Sequence, residues 1–292
     1  MRKTDNETTM RLRHVVSLGL LMALCSCKAE KDPSTKPAAK PPPKPKKLLY
    51  WTYGTDHKHD CLALSEEVVT KLGADSGIFV ATTNKGYRKE SKEQIDLSNV
   101  TPEYLAQFDA IMWFVMAQLP NTDAVYKALL DHIKGGGAFI GIHNAVDHFF
   151  RTPGYTQMIG GSFGGHPWTA DGPAVTITVE DRKHPATKML PADWKIQEEI
   201  YQIGKPYSRN NQRVLMSLNT AKTDMNKKDL LYGKDGDYAV AWCRMYGKGR
   251  VFYTSLGHSK RTWNDPLYQK HLLGGIKWAL GLEPGDSTPN PK

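Results

Sequence analysis

The sequence predicts an α/β protein with a central, mainly parallel sheet, helices on both faces and an added antiparallel section. Three observations predict it. Short apolar runs of strand length alternate with helical patterns through the first half of the chain, the order of βαβ units. One of those runs, residues 110–115, is apolar without interruption, as in a strand covered on both faces. The second half is rich in strand-type segments and has few helical ones, which accounts for the antiparallel part.

Residues 48–53 are the first expected strand, followed by a polar loop at 54–60 and a helix at 62–72, where apolar residues fall at helical spacing. The next strand is 78–82. Residues 83–99 show no clean period and read as loop, ahead of a short helix at 102–107. After the strand at 110–115, Asn121 is placed to cap a helix reaching Lys134, with Val125, Leu129, Leu130 and Ile133 on one stripe. Gly135 supplies the left-handed residue that commonly ends a helix. Residues 138–142 are the next strand, and a helix is expected from Val146. Residues 175–179 alternate as a half-exposed strand, and 200–203, 214–218, 239–245 and 250–256 continue the β pattern. An amphipathic helix at 265–280 closes the domain. No internal repeat is present.

Residues 1–47 stand apart from this fold. Arg11 and Arg13 precede the apolar run 15–24, too short to span a bilayer as a mature helix, so residues 1–27 are expected to be an export signal. The run ends in Leu24-Cys25-Ser26-Cys27, which resembles the lipobox of bacterial lipoproteins, and Cys27 is the residue that would carry the lipid. An ordinary cleavage site or an uncleaved anchor is the alternative. Residues 28–47, rich in Pro, Lys and Ala, cannot bury enough apolar surface to fold and are expected to form a semi-rigid tether. The expected organisation is therefore a lipoprotein signal peptide at 1–27, a tether at 28–47, one domain at 48–283 and a disordered tail at 284–292. The expected location is the cell envelope, with the chain exported and lipid-anchored on a periplasmic or outer-membrane face.

The net charge of +9 belongs mostly to the tether. Residues 1–47 carry 11 Lys or Arg against 4 Asp or Glu, which leaves the rest of the chain at +2. No basic stripe interleaved with aromatics survives, so nucleic acid is excluded as an expected partner. The basic arm suits an anionic membrane surface. Only Cys61 and Cys243 fall within the domain, neither in a Cys-x-x-Cys pair, and the sequence leaves open whether they join.

The candidate chemistry lies at strand ends. In open α/β sheets ligands sit at the carboxyl ends of the strands. Gly141-Ile142-His143-Asn144-Ala145 occupies the strand-turn-helix position where a nucleophile elbow carries Ser or Cys. An imidazole there can act as a general base or metal ligand but forms no acyl or thioester intermediate. Asp147, four residues on, is placed to orient the ring if the helix has begun. A hydrogen bond from His143 to a neighbouring loop and a capping role for Asp147 are equally compatible with the residues. His166 sits between Gly164-Gly165 and Pro167-Trp168, and Trp168 is of the type that stacks on sugar rings. His184-Pro185 reads as a turn after a strand. Of the adjacent pair Glu198-Glu199, alternation on an extended segment points one inward, and Glu199 is the expected one. His258 follows the strand at 250–256, and His57, His59 and Asp60 follow the first strand, so all share the rim with His143 if the strands are parallel.

Taken together these pieces resemble the ThuA-like family, associated with trehalose utilisation. They are His59-Asp60, Gly135-Gly136-Gly137 through Gly141-Ile142-His143 with Asp147, Gly160-Gly161, Gly165-His166-Pro167-Trp168, His184-Pro185, Glu199-Ile200-Tyr201, and Gly249-Arg250-Val251 through Gly257-His258. The resemblance covers residues 48–282. In the first loop Asp56-His57-Lys58 stands where the family pattern has a Gly-aromatic-basic run. The resemblance implies a flavodoxin-like, class I glutamine amidotransferase-like three-layer sandwich and a role in carbohydrate metabolism on a trehalose-type or keto-sugar substrate.

The expected chemistry is proton transfer by His143, Asp147, His166 and Glu199 as catalytic groups, with His59, Trp168 and His258 binding the substrate. A lyase, hydrolase or isomerase reaction on a keto-sugar is compatible with this set. No cofactor is required by it, although His143, His166, Glu199 and His258 would also suit a divalent metal such as zinc. Glutamine amidotransfer is disfavoured because neither Cys61 nor Cys243 stands at the elbow. The reading from another class is a non-catalytic sugar-binding or envelope interaction module.

Overall fold

The computed structural model describes residues 44–54, 59–88, 97, 100–116, 123–147 and 153–292. The first half alternates strand and helix: β1 Lys46–Gly54, α1 Leu62–Ser76, β2 Phe79–Thr83, α2 Pro102–Leu105, β3 Ala110–Met116, α3 Asp123–Gly135, β4 Ala138–Ile142 and α4 Pro153–Ile159. The short β5 Ser162–Phe163 follows, and the second half adds β6 Val175–Val179, β7 Asp193–Ile196, β8 Ile203–Gly204, β9 Arg213–Leu218, β10 Ala239–Tyr246 and β11 Gly249–Thr254 before α5 Lys260–Asn264 and α6 Pro266–Ala279.

Among the described residues nine strands make one sheet, ordered β2-β1-β3-β4-β11-β10-β9-β6-β7, while β5 and β8 pair separately. The block from β2 to β11 is parallel throughout. From β11 to β7 each strand runs antiparallel to the one before it. Successive residues of β1 enter different cores: Leu48 and Tyr50 pack with Leu62, Val69, Trp263 and Leu272, whereas Leu49, Trp51 and Tyr53 pack with Leu129, Ile133 and Tyr155. The side-chain period of two thus divides one apolar run between two helical layers, with α1, α5 and α6 on one face and α2, α3 and α4 on the other. This is the three-layer α/β arrangement expected from the sequence. No helix among the described residues is long and apolar enough to cross a membrane.

Several boundaries differ from the expectation. β1 starts at Lys46, so the last residues assigned to the tether already pair with β2. Val146, the expected start of a helix, instead ends a 3-10 turn, His143–Val146, and residues 148–152 lie outside the described residues. The strand expected at 200–203 shrinks to an isolated bridge at Ile200 and the two-residue β8. β7 was not expected, because only Trp194 and Ile196 mark its buried side. The disordered tail expected at 284–292 is corrected. The Asn290 side chain accepts from Val214 N–H and donates to its carbonyl, and Asp286 pairs with Arg213. The amide side chain completes a backbone ladder, which composition alone does not reveal. Cys61 and Cys243 are both buried and unpaired. Cys27, His57 and the Asn121 cap lie outside the described residues.

Candidate functional site

The parallel block carries His59 past the carboxyl end of β1, His143 past β4 and His258 past β11, so three histidines share one rim. Local backbone geometry aims them. His143 has φ of +46°, in the left-handed region that costs a side-chain-bearing residue about 1–3 kcal/mol. His166 and His258 each follow a glycine at positive φ, Gly165 at +114° and Gly257 at +118°. A side chain at Gly257 would also meet the Tyr268 hydroxyl at 2.8 Å, so that turn admits only glycine.

Glu199 reaches the same point from another direction. Backbone bonds from Ile200 N to Trp168 O (2.9 Å), Gln202 N to Gly165 O (2.8 Å) and Gly164 N to Gln202 O (2.8 Å) zip the His166 loop to the Glu199–Tyr201 segment. Glu199 Oε1 then lies 3.1 Å from His166 Nδ1, and Oε2 lies 3.2 Å from His143 Nε2 and 3.1 Å from His258 Nδ1. One ligand-type atom from each of His59, His143, Glu199 and His258 falls within 4.8 Å of all the others. The His59 ring stands edge-on to both His143 and His258, at 4.9 and 4.7 Å between centroids.

The proton positions on His143 follow from its neighbours. Its Nδ1 is 2.7 Å from the Ser255 carbonyl, which can only accept, so Nδ1 carries a proton; Nε2, 3.2 Å from Glu199 Oε2, donates to that carboxylate when the ring is charged and offers a lone pair when it is neutral. The Tyr201 hydroxyl is 2.9 Å from that Nε2. Burial, and then the charge of Glu199, push the Tyr201 phenol well above its ordinary pKa, so it is a protonated donor. Burial disfavours the Glu199 carboxylate, but hydrogen bonds and charge from His143 and His258 outweigh it and hold its pKa well below the usual range. Burial likewise opposes charge on His258, yet the Glu199 contact raises its pKa. Such a set of convergent acceptors and donors can bind a cation, polarise an oxygen or pass a proton.

The structure brings together His59, His143, His166, Glu199 and His258. Asp147 ends the 3-10 turn, its N–H bonded to Asn144 O at 2.9 Å, and its charge is felt by Tyr201 and Tyr253. Trp168 is placed otherwise than expected. Its ring is 3% exposed, packs edge-on to Tyr238 and donates its N–H to Asp224 O, so the core has taken the face a sugar would need. Two phenylalanine rings flank the site: Phe114, 5.5 Å from His59 and 6.2 Å from His143, and Phe163, 5.7 Å from His166 and 4.6 Å from Tyr201 between centroids. His184 lies buried against Trp278, away from the cluster's residues. Glu198 is not solvated but fully buried. Sequence reasoning missed Tyr201 as a functional residue, although it lies two residues beyond Glu199 on an extended segment and therefore on the same side.

Comparison with known proteins gives a consistent picture. The model of the ThuA family, described as trehalose utilisation, matches residues 47–279. A ThuA-like protein from Bacteroides uniformis ATCC 8492 is similar in structure, with TM-score 0.63, 25% identity, and coverage of 85% of this chain and 95% of that one. A second, from Parabacteroides merdae ATCC 43184, has TM-score 0.59 and 20% identity, covering 81% and 90%. A search of curated proteins finds no match.

Proposed function

This chain belongs to the ThuA family of trehalose utilisation, and we propose that it acts on a trehalose-type or keto-sugar substrate by His/Glu acid-base chemistry at the rim cluster. The observation that carries this reading is the convergence of His59, His143, Glu199 and His258 within 4.8 Å at the carboxyl edge of a parallel sheet. Three imidazoles and a carboxylate suit a divalent cation such as zinc, and the commitment of His143 Nδ1 to Ser255 leaves Nε2 as a ligand. Such an ion, when bound, would polarise a sugar oxygen.

The remaining work falls to side chains of this chain. Glu199 Oε1 lies 3.1 Å from His166 Nδ1, and a proton kept at Nδ1 beside that carboxylate leaves His166 Nε2 to take a proton from the carbon beside a sugar ketone. The His166 side chain is 49% exposed, as a group that must meet substrate has to be. Protonated Tyr201 is a donor for a substrate oxygen or for His143. The order of Arg11, Arg13, the apolar run and Cys27 supports an exported protein lipid-anchored in the envelope, with the sugar as its small-molecule partner.

The test is turnover of a panel of disaccharides and their keto derivatives by the purified full chain and by His143→Ala, with metal content measured on protein prepared without chelator. Wild type should convert a keto-sugar and hold a near-stoichiometric divalent metal. His143→Ala should lose turnover at least a hundredfold while substrate binding stays measurable. Unchanged turnover in the variant would remove the catalytic assignment. Sugar binding without turnover by wild type would favour the binding-module reading, and substoichiometric content of every transition metal would remove the ion.

A further inference from the structure

Glu198 is fully buried one residue before Glu199, and among the bonds described its carboxylate meets no side chain of the rim cluster, only the Glu199 backbone N–H and groups of the turn after His258. Its Oε1 accepts from the backbone N–H of Glu199 at 2.8 Å. Its Oε2 accepts from the Thr262 hydroxyl, and from the N–H and hydroxyl of Ser259 at 3.4 Å each. Ser259 directly follows His258 and is the N-cap of α5, where its hydroxyl also accepts from Thr262 N–H. One carboxylate therefore ties the segment that carries Glu199 to the turn that carries His258. The same turn is held from its other side by the Cys61 thiol, which donates to the carbonyls of Gly257 (3.4 Å) and His258 (3.1 Å).

We infer that Glu198 is the positioning residue of the site, a clamp that sets the 3.1 Å approach of Glu199 Oε2 to His258 Nδ1. The inference rests on the reading of the cluster as the functional centre. Its chemical basis is acceptor count. The groups around Glu198 are donors, the Glu199 and Ser259 N–H groups and the Ser259 and Thr262 hydroxyls, so a group that only accepts satisfies them all. A glutamine has the same shape, but its NH2 would face donors on one side. Fixing ligand-bearing segments through such outer contacts is commonly worth tenfold to a hundredfold in metal affinity or activity.

The experiment compares full-length wild type, Glu198→Gln and Thr262→Val. Zinc and cobalt affinity are measured by calorimetry well below each variant's melting temperature, and the crystal structure of each variant is determined. Glu198→Gln should weaken cation affinity tenfold or more and lengthen the Glu199–His258 separation. Thr262→Val, which removes one donor and keeps the side-chain volume, should move both readouts in the same direction by a smaller amount. It also serves where Glu198→Gln does not fold. Native affinity together with a native separation in either folded variant would overturn the clamp. If wild type binds neither metal, the cation part of the proposed function fails, and the clamp is decided by the separation alone.

Discussion

At the scale of single residues, the site divides its histidines by what holds them. His143 and His258 are fixed through backbone turns and buried partners, while His166 rests against Glu199 and the Phe163 ring and stays open to solvent. This division predicts different phenotypes. His258→Ala should lose both cation affinity and turnover, because it removes a member of the four-atom cluster. His166→Ala should keep cation affinity and lose turnover by roughly 10²–10⁴-fold, the usual contribution of a positioned acid-base group. Side-by-side calorimetry and initial rates check this. Wild-type rates from His166→Ala would take the proton transfer away from that residue. Of these residues, the elbow histidine and Glu199 were legible because a strand end and an alternating segment fix direction. The role of Trp168 was not legible, because whether an aromatic ring faces a sugar or the core depends on Tyr238 and Asp224, distant in sequence.

At the scale of elements, α6 was read from sequence almost to the residue, since Asp265 caps it, Pro266 starts it and its apolar stripe is regular. What it packs against was not visible, and this gives α6 a pH dependence. His271 on α6 is fully buried, with Nδ1 donating to Ala186 O at 2.8 Å, and Ala186 N–H donates to His184 Nδ1 at 3.2 Å. Burial pushes both histidines down to about 4. An unfolded histidine titrates near pH 6.5, so between about 6.5 and 4 the unfolded chain takes protons that the folded chain refuses. The contribution of these two histidines is therefore full above about pH 6.5 and falls as pH drops toward 4, by up to roughly 3 kcal/mol for each group, partly offset by Glu66 and His258, whose raised pKa values act in the opposite direction. Asp181 and Asp237 titrate below this window. Burial opposes their charge, but Arg213 and Arg209 hold their pKa values down. Melting temperatures from pH 7 to 4.5 should decline, and His271→Gln should lose part of that slope. An identical slope in the variant would refute the assignment.

At the scale of the whole molecule, the chain combines a nearly neutral α/β domain with a basic N-terminal stretch, residues 1–47, that contains the lipobox-like Leu24-Cys25-Ser26-Cys27. If Cys27 carries a lipid, the expressed full chain should partition into the detergent phase on Triton X-114 separation, and Cys27→Ser should move to the aqueous phase. Equal partitioning of the two would remove the lipid anchor.

The sequence by itself determined the α/β class, the strand ends that carry His59, His143 and His258, and the helices that cover the sheet. Those features follow from local period and capping, which act over a few residues. Only the tertiary structure decided that Glu198 is buried beneath Glu199, that Tyr201 and Phe163 flank the cluster, and that residues 284–292 dock on Arg213 and Val214. Each of these depends on partners distant in sequence. A carboxylate, a phenol or an asparagine acquires its role from the donors and acceptors folding brings to it, and sequence spacing does not encode those pairings.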